Sequence, residues 1–537
     1  MSDRPLLRVK FFTICASNYL ANATTLGRSV SAAHTGSKLT VFLLDDLPAR
    51  VAGLEHIDIV PAKRTMSLAD WHHYQCFYDV LELATSIKPL CFEHLLPDDT
   101  DVAIYLDPDI VVFRALDAVL SAIRDGFEVV LTPHILTPLP ADGKTPNDLS
   151  IMRAGIYNLG FAAFANTARS RTIIAWWRRR LRTQGLADVG SGLFTDQKWI
   201  DFLPAFSAAT FIIREPGYNV AYWNLHERTL TRGDDGWRVS FVDGSQSDLV
   251  FFHFSGYAPS AGQLSRHETR YRDKPPGDTW EILREYSELL AASGHGALRE
   301  RKIAAPRFEN GIAWDPICRI LYRDILLADP DFGDPLKGDA FLSFAAGIAP
   351  GDHLPRYVRA ILRLRPDVAG AYDDGRNKVA LLGWLDKDGP AQLGLDRELL
   401  RHLGIEGRLL LRGVNYVGYF RSHLGIGEAA RNAVTALGKA GVEVAPHDIS
   451  HLAESPTGNY HIEFGTSPSR YEMTILGLNA DATPYVLSSL PDDLRSTFLI
   501  GSWAWETPEF PEGWCDRFNL VDEVWVASNF VAEAVRA

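Results

Sequence analysis

The stretch Val102-Ala103-Ile104-Tyr105-Leu106-Asp107-Pro108-Asp109 decides the fold. Five consecutive apolar or aromatic residues predict a strand buried on both faces, as in the interior of a mostly parallel sheet. Pro108 ends the ladder because it lacks a backbone N–H and fixes its own φ. Asp107 and Asp109 then stand at the carboxyl end of that strand, where open α/β sheets receive their ligands. Two carboxylates held one residue apart repel each other unless a cation lies between them. Mg2+ or Mn2+ would serve, and could also hold a diphosphate. Asp-Pro-Asp is equally sound turn chemistry, so the rest of the chain has to decide between the two readings.

At 537 residues the chain exceeds a single core, which predicts about two to four domains. Its 46% hydrophobic and 23% charged composition excludes the disordered and fibrous classes. A net charge of -13 and a pI near 5.7 argue against a nucleic-acid partner held by bulk electrostatics, though not against a local basic pocket. Met1-Ser2-Asp3-Arg4-Pro5 runs into a strand-like segment with no long apolar core and no small-residue cleavage site, unlike a signal peptide. No stretch approaches the roughly 18 uninterrupted apolar residues of a membrane span. The expectation is a cytoplasmic protein without a transmembrane segment, with peripheral membrane contact left open. Cys15, Cys76, Cys91, Cys318 and Cys515 are scattered without C-x-x-C spacing, which predicts ordinary buried thiols rather than disulfides or a zinc site.

Residues 8 to 15 predict a first strand, followed by Ser17-Asn18-Tyr19. A helix through about Thr25 to Ala33 and a strand from Leu39 to Leu44, closed by Asp45-Asp46, complete a βαβ unit. It lacks a G-x-G-x-x-G and a P-loop, which points away from nicotinamide enzymes and ATPases. A helix from Tyr78 to Ala84 leads to Lys88-Pro89, and a second helical piece runs to Leu96. Strand-like runs follow at Glu128 to Thr132 and Gly160 to Phe164. Between them Thr137 to Leu149, rich in Pro, Asp and Thr, reads as a surface loop able to fold over a ligand. The basic helix Thr172 to Arg182 reads as a solvated face.

From about Arg299 to Gly404 the apolar spacing is helical, with many breakers and no titratable constellation. A second α/β unit begins near Leu409. It comprises a strand Asn415 to Phe420, a loop containing Gly425-Ile426-Gly427-Glu428, a helix Ala429 to Ala440 and a strand Val442 to Ala445. Glycines between strand and helix suit an anion or a sugar hydroxyl, or simply a tight turn. The sequence stops at Ala537 inside an amphipathic helix with no stop signal, which predicts a fragment of a longer polypeptide.

Four further stretches stand beside the paired aspartates: Tyr157-Asn158-Leu159-Gly160-Phe161, Thr195-Asp196-Gln197-Lys198-Trp199, Asn219 to Leu225, and Phe252-His253-Phe254-Ser255-Gly256. A lone His after an apolar strand is usually a core residue, unless it completes a carboxylate pair at a metal. With these motifs in this order, residues 8 to about 275 resemble the retaining GT-A glycosyltransferases of the glycogenin and lipopolysaccharide galactosyltransferase type. That family shows a first strand followed by Asn-Tyr, a D-x-D after an apolar strand, an Asn-x-Gly turn, an Asp-Gln pair and a late His-x-x-Gly.

The resemblance implies that Asp107, Asp109 and His253 hold Mn2+ or Mg2+, which bridges the diphosphate of a nucleotide sugar. It places Asn18 and Tyr19 near a uracil ring, Asn158 and Gly160 at the donor sugar, and Gly256 in the late donor-binding turn. Asp196 would accept from sugar hydroxyls. Gln197 falls on the face of the anomeric carbon, and because an amide is a poor nucleophile it reads as an electrostatic helper in a front-face reaction. Three positions depart from the family. Its acidic uracil contact falls on Ala16, its arginine before the D-x-D is replaced by Lys88, which could pair with phosphate, and its late lysine falls on Pro259. Arg266 and Arg270 are the candidates to supply that last charge. Tyr222, Trp223 and Asn224 are candidates for an acceptor or lid contact.

The segment from about 409 to 537 resembles the N-terminal half of a GT-B glycosyltransferase, through its strand-Gly-Ile-Gly-Glu-helix unit, Trp-Glu-Thr-Pro and Glu-Val-Trp-Val-Ala-Ser. The implied architecture is α/β: a GT-A Rossmann-like domain at 1–290, a helical connecting domain at 291–405 and an incomplete GT-B-like domain at 406–537. The implied function is metal-dependent retaining transfer from a nucleotide sugar, UDP-linked, to a glycan or glycolipid acceptor in surface polysaccharide synthesis. Two alternatives stand beside it: a catalytically silent glycan-binding or scaffolding module, and a sugar nucleotidyltransferase. The second lacks its Gly-rich basic phosphate loop.

Overall fold

The computed structural model describes residues 7–536 except 50, 97–98, 273, 351, 353, 373–377, 406–412 and 459–470. The chain divides into two compact units, Met1–Pro306 and Arg307–Ala537.

The first unit is mixed α/β around a seven-stranded sheet. Its strands are β1 (Val9–Cys15), β2 (Leu39–Leu43), β3 (Ile57–Pro61), β4 (Val102–Leu106), β6 (Val129–Pro133), β7 (Tyr157–Ala165) and β8 (Thr210–Ile212), with the short β5 (Ile110–Val112) outside it. The spatial order is β3-β2-β1-β4-β7-β6-β8. All neighbours run parallel except β7, which is antiparallel to both β4 and β6. Every residue of β4 is buried, as its apolar run predicts, but only its β1 side is parallel. Burial on both faces therefore identifies a central strand without fixing its neighbours' direction. Phe11, Leu26, Val41 and Ile104 share one core. Phe12 meets the rings of Phe42, Phe92 and Tyr105.

A second layer follows. Strands β9 (Arg228–Gly233), β10 (Gly236–Phe241) and β11 (Gln246–Asp248) form an antiparallel sheet, and β12 (Phe251–His253) pairs antiparallel with β5. The sequence reading does not anticipate this sheet, since much of β9 and the whole of β11 carry polar residues with little apolar alternation. The first helix begins at Leu20 rather than Thr25, because the 3-10 turn Ser17–Tyr19 feeds β1 straight into it without a capping side chain. The loop after Thr137 is tied down. Buried Glu227 accepts from the Leu136 and Thr137 amides and the Thr137 hydroxyl, Arg270 pairs with Asp142, and the Thr145 amide donates to the Thr269 hydroxyl. The loop also ends sooner than expected, at the helix Asp148–Ala154, which Asn147 caps.

In the second unit, helices such as Pro316–Ala328 and Arg356–Leu364 fill the expected helical region. One titratable pair escaped the sequence reading there: buried Asp315 caps the first of these helices and accepts from the Tyr357 hydroxyl. Five parallel strands follow, β13 (Gly413–Gly418), β14 (Glu443–Asp448), β15 (Met473–Gly477), β16 (Phe498–Trp503) and β17 (Glu523–Val526), in the order β14-β13-β15-β16-β17. The expected onset near Leu409 lies outside the described residues. Gly425 to Glu428 form the first turn of the helix Gly425–Lys439 instead of a loop. A Cβ on Gly427 would stand 2.5 Å from the Tyr419 carbonyl oxygen, so the close approach there is to the chain itself. Four cysteines are buried as expected, but Cys515 is exposed.

Candidate functional site

The turn reading and the site reading of Asp107-Pro108-Asp109 turn out to be compatible. The Ile110 amide donates to the Asp107 carbonyl at 3.1 Å, closing a turn, while the Asp107 amide is held by the Gly160 carbonyl of β7 at 2.8 Å. The turn delivers the chain into β5, whose Ile110 lies opposite His253 on β12. This register puts the His253 Nε2 3.1 Å from Asp109 Oδ1 and 3.5 Å from Asp107 Oδ2. One donor atom from each of the three residues falls within 4.8 Å of the others. His253 is buried, while the two carboxylates are partly exposed. Burial pushes the His253 pKa down, but Asp109, its hydrogen bond and Asp107 outweigh this and hold it above its usual value.

Asn158 determines how the imidazole presents itself. Its Oδ1 accepts from the Gly160 amide at 3.2 Å and from the Asn219 Nδ2 at 3.1 Å, so this atom is the oxygen. The same oxygen lies 3.2 Å from His253 Nδ1. Nδ1 therefore carries the hydrogen, and Nε2 faces the carboxylates. Asn158 Nδ2 in turn points at His134 Nε2, 3.2 Å away. Burial lowers the His134 pKa to about 4, which keeps that ring neutral at ordinary pH. Trp223 packs edge-on against both imidazoles, at 5.2 Å each. A Cβ at position 160 would lie 2.3 Å from His253 Cε1, so glycine is required for the ring to sit where it does.

Two residues in the left-handed region flank this network, Thr195 at φ 48 and Asn219 at φ 52. For β-branched Thr195 such a conformation is costly and persists only when its surroundings impose it. Asn219 is fully buried and also donates to the Thr132 hydroxyl at 2.8 Å. Its own Oδ1 has no partner among the described residues.

Beneath the carboxylates, Lys88 and Asp196 are each only 2% exposed and stand 2.8 Å apart. The Lys88 ammonium also donates to the Leu159 carbonyl at 2.8 Å, lies 3.9 Å from Asp107 and sits 4.2 Å over the Tyr105 ring. The Tyr105 hydroxyl donates to Asp107 at 2.5 Å. Burial raises the Asp196 pKa and Lys88 works against it, with a net rise. Gln197 is engaged at both ends: its Nε2 donates to the Ala154 carbonyl at 2.9 Å, and its Oε1 accepts from the Leu159 amide at 2.9 Å.

Thus Asp107, Asp109, His253, Asn158, Gly160, Lys88, Asp196 and Gln197 meet in one connected network. Asn18 and Tyr19 lie in the turn after β1. Tyr19 is 43% exposed. Its hydroxyl pKa is raised, by burial first and then by Asp109, against the pull of Arg266 and Arg299. Asn18 Oδ1 is buried without a partner among the described residues. Gly256, at φ +70, turns the chain after β12 so that the Arg266 amide bonds to its carbonyl at 3.1 Å. Arg266 therefore remains a candidate for the missing basic charge. Arg270 does not, because Asp142 and the Pro146 carbonyl occupy its guanidinium. Trp223 and Asn224 are structural rather than lid residues: both are buried, and Asn224 bonds to the Ala221 amide and to the His134 and Asn219 carbonyls.

Sequence reasoning missed His134, the role of Asn219, and Asp45. The first had a signal, since His134 follows β6 as Asp107 follows β4. Asp45, at the end of β2, accepts from the Ser17 amide and hydroxyl at 2.7 and 2.6 Å, which brings an acid beside the turn whose own position 16 lacks one.

No family model matches the chain. Among curated proteins it is similar to the uncharacterized protein YfnF of Bacillus subtilis (strain 168), at 24% identity over 277 residues, covering 49% of this chain and 88% of YfnF. It is also similar to YfnD of the same organism, at 25% identity over 182 residues, covering 33% of this chain and 54% of YfnD. Solved structures similar to it include the galactosyltransferase LgtC in complex with donor and acceptor sugar analogs, at 14% identity and a TM-score of 0.31, covering 53% of this chain and 96% of LgtC. The glycosyltransferase GlyE of Streptococcus pneumoniae TIGR4 follows at 15% and 0.30, covering 57% of this chain and 68% of GlyE.

Proposed function

We propose that the first unit is a retaining, metal-dependent glycosyltransferase of the GT-A type, moving a sugar from a UDP-linked donor to a glycan or glycolipid acceptor. The observation that carries this reading is the convergence of Asp107, Asp109 and His253 at the carboxyl end of a central strand, with Nε2 aimed at the carboxylates. Two carboxylates and an imidazole suit Mn2+ or Mg2+. Such an ion, when bound, would neutralise the donor diphosphate and the charge growing on the departing nucleotide.

The chain's own residues divide the remaining work. Lys88 stands between Asp196 and Asp107, 2.8 Å from the first and 3.9 Å from the second, and offsets the repulsion of two neighbouring carboxyl groups. Tyr19 offers an exposed ring for the base, with the buried, unpartnered side-chain carbonyl of Asn18 beside it. Gln197, fixed at both ends of its amide, presents a dipole to the anomeric centre in place of a nucleophile. The domain plan is a GT-A domain at 1–290, a helical connector at 291–405 and the N-terminal half of a GT-B unit at 406–537.

Hydrolysis of UDP-sugars assayed with and without Mn2+ tests the reading: turnover should require the ion and vanish in Asp107→Asn. One observation favours a second reading, a domain that binds donor without turning it over, because Lys88 and Gln197 already have protein partners. Donor-induced thermal stabilisation with no hydrolysis would select it.

A further inference from the structure

The surface beside Gln197 is apolar. In the helix Asp148–Ala154, Leu149 and Met152 point outward one turn apart, and Ile156 continues the stripe. The short helices Gln197–Ile200 and Leu203–Phe206 bring Phe202 and Phe206, whose rings stack at 5.6 Å. Trp176 meets Phe206 and Trp199 edge-on. The two stripes are joined by hydrogen bonds: Lys198 Nζ donates to the Met152 carbonyl at 2.6 Å, and Asp201 accepts from the Ile156 amide at 2.8 Å. Leu149, Met152, Ile156, Phe202 and Phe206 are 43% to 60% exposed. Scattered apolar residues need no explanation, but an adjoining set of this kind marks a contact surface.

Charge indicates what it contacts. Arg153 extends from the same helix as Met152, Arg180 lies 5.6 Å over the Trp199 ring, and Arg214 adjoins Tyr157, next to Ile156. None of the three has a carboxylate partner among the described residues. Asp201, the acid within the patch, is taken up by Lys198 and the Ile156 amide; Asp148 beside Leu149 accepts from the Leu139 amide, Glu128 accepts from the Ser207 hydroxyl next to Phe206 and pairs with Arg169, and Glu215 adjoins Arg214. In a chain of net charge -13, these three guanidinium groups are a local basic feature beside the apolar stripe, one of them over the partly buried Trp199 ring. Aromatic and aliphatic side chains entering the headgroup boundary, with arginines snorkelling to phosphate, describe interfacial membrane binding.

We propose that this surface docks the protein on an anionic phospholipid bilayer. The docking stands on the patch alone. That it brings the site to a lipid-linked acceptor rests on the proposed function, and it fits because the helix carrying Gln197 also carries Trp199, while the Gln197 amide holds the end of the helix bearing Met152.

The test is co-sedimentation of the whole chain with phosphatidylcholine vesicles, with and without phosphatidylglycerol. Binding is expected only with the anionic lipid, falling as salt is raised. It should weaken about tenfold or more in Phe202→Ser/Phe206→Ser, which should stay folded because both rings are half exposed. If that pair fails to fold, Leu149→Gln/Met152→Gln replaces it with the same expectation. Absence of vesicle binding, or equal binding by a folded variant, overturns the proposal. So does a wild-type dimer that the variant dissociates without any vesicle binding, which assigns the patch to a second copy. A wild-type chain that carries out Mn2+-dependent hydrolysis but binds no vesicles refutes the docking alone. Hydrolysis absent while vesicle binding persists refutes the catalytic reading alone.

Discussion

Asn158 Oδ1 lies 3.2 Å from His253 Nδ1, and this contact settles which ring nitrogen faces Asp107 and Asp109. Orienting partners of this kind raise metal affinity by fixing tautomer and ring plane together. Asn158→Ala should therefore weaken Mn2+ binding by about 10- to 100-fold while Asp107, Asp109 and His253 remain in place. Calorimetric titration of the variant checks this, and undiminished affinity would show that the amide does not act through His253.

The Lys88–Asp196 pair is buried on both sides, so removing one partner strands a charge. Lys88→Met should cost about 3–5 kcal/mol of stability, measured by urea unfolding. A loss below about 1 kcal/mol would mean that Asp196 is already neutral.

Gly160 marks a steric limit. Gly160→Ala places a methyl 2.3 Å from His253 Cε1, and the imidazole has to leave its position. Mn2+ affinity should fall along with a stability loss of about 1–3 kcal/mol. A crystal structure of the variant with His253 unmoved would contradict this.

Acid should destabilise the fold through two buried imidazoles. Burial holds His73 and His134 down to about 4, against an ordinary value of 6.5. Because the folded values are depressed, the unfolded chain takes up protons first. The stabilisation is full above about pH 6.5 and is lost progressively as pH falls to 4. Each group accounts for roughly 3 kcal/mol over that window. Urea midpoints measured across pH 4 to 7 should drop toward acid, and His73→Gln should flatten part of the slope.

How much of this was legible follows from the range of the interactions involved. The strand Val102–Leu106 is local information, an apolar run ended by Pro108, and the structure places it as read. The pairing of Asp109 with His253 spans nearly half of the unit and depends on the β5–β12 register, so only the family resemblance places the two together. Lys88 reads as a charge available to phosphate, but its burial against Asp196 emerges only when the β4–β7 region closes around it. The left-handed backbones of Thr195 and Asn219 run against local preference and are imposed by tertiary packing, beyond the reach of residue-by-residue reasoning. The exposed stripe of Leu149, Met152 and Ile156 is hidden in the sequence for a simpler reason: the Pro, Asp and Thr content of Thr137 to Leu149 reads as loop and takes in the first residue of the stripe.

The most direct measurement is calorimetric titration of Mn2+ into the whole chain in the presence of UDP, for wild type and His253→Ala. The account predicts one site per chain in the wild type and an affinity lower by at least about a hundredfold in the variant. Equal affinity in the two proteins, or no binding by the wild type, would contradict it.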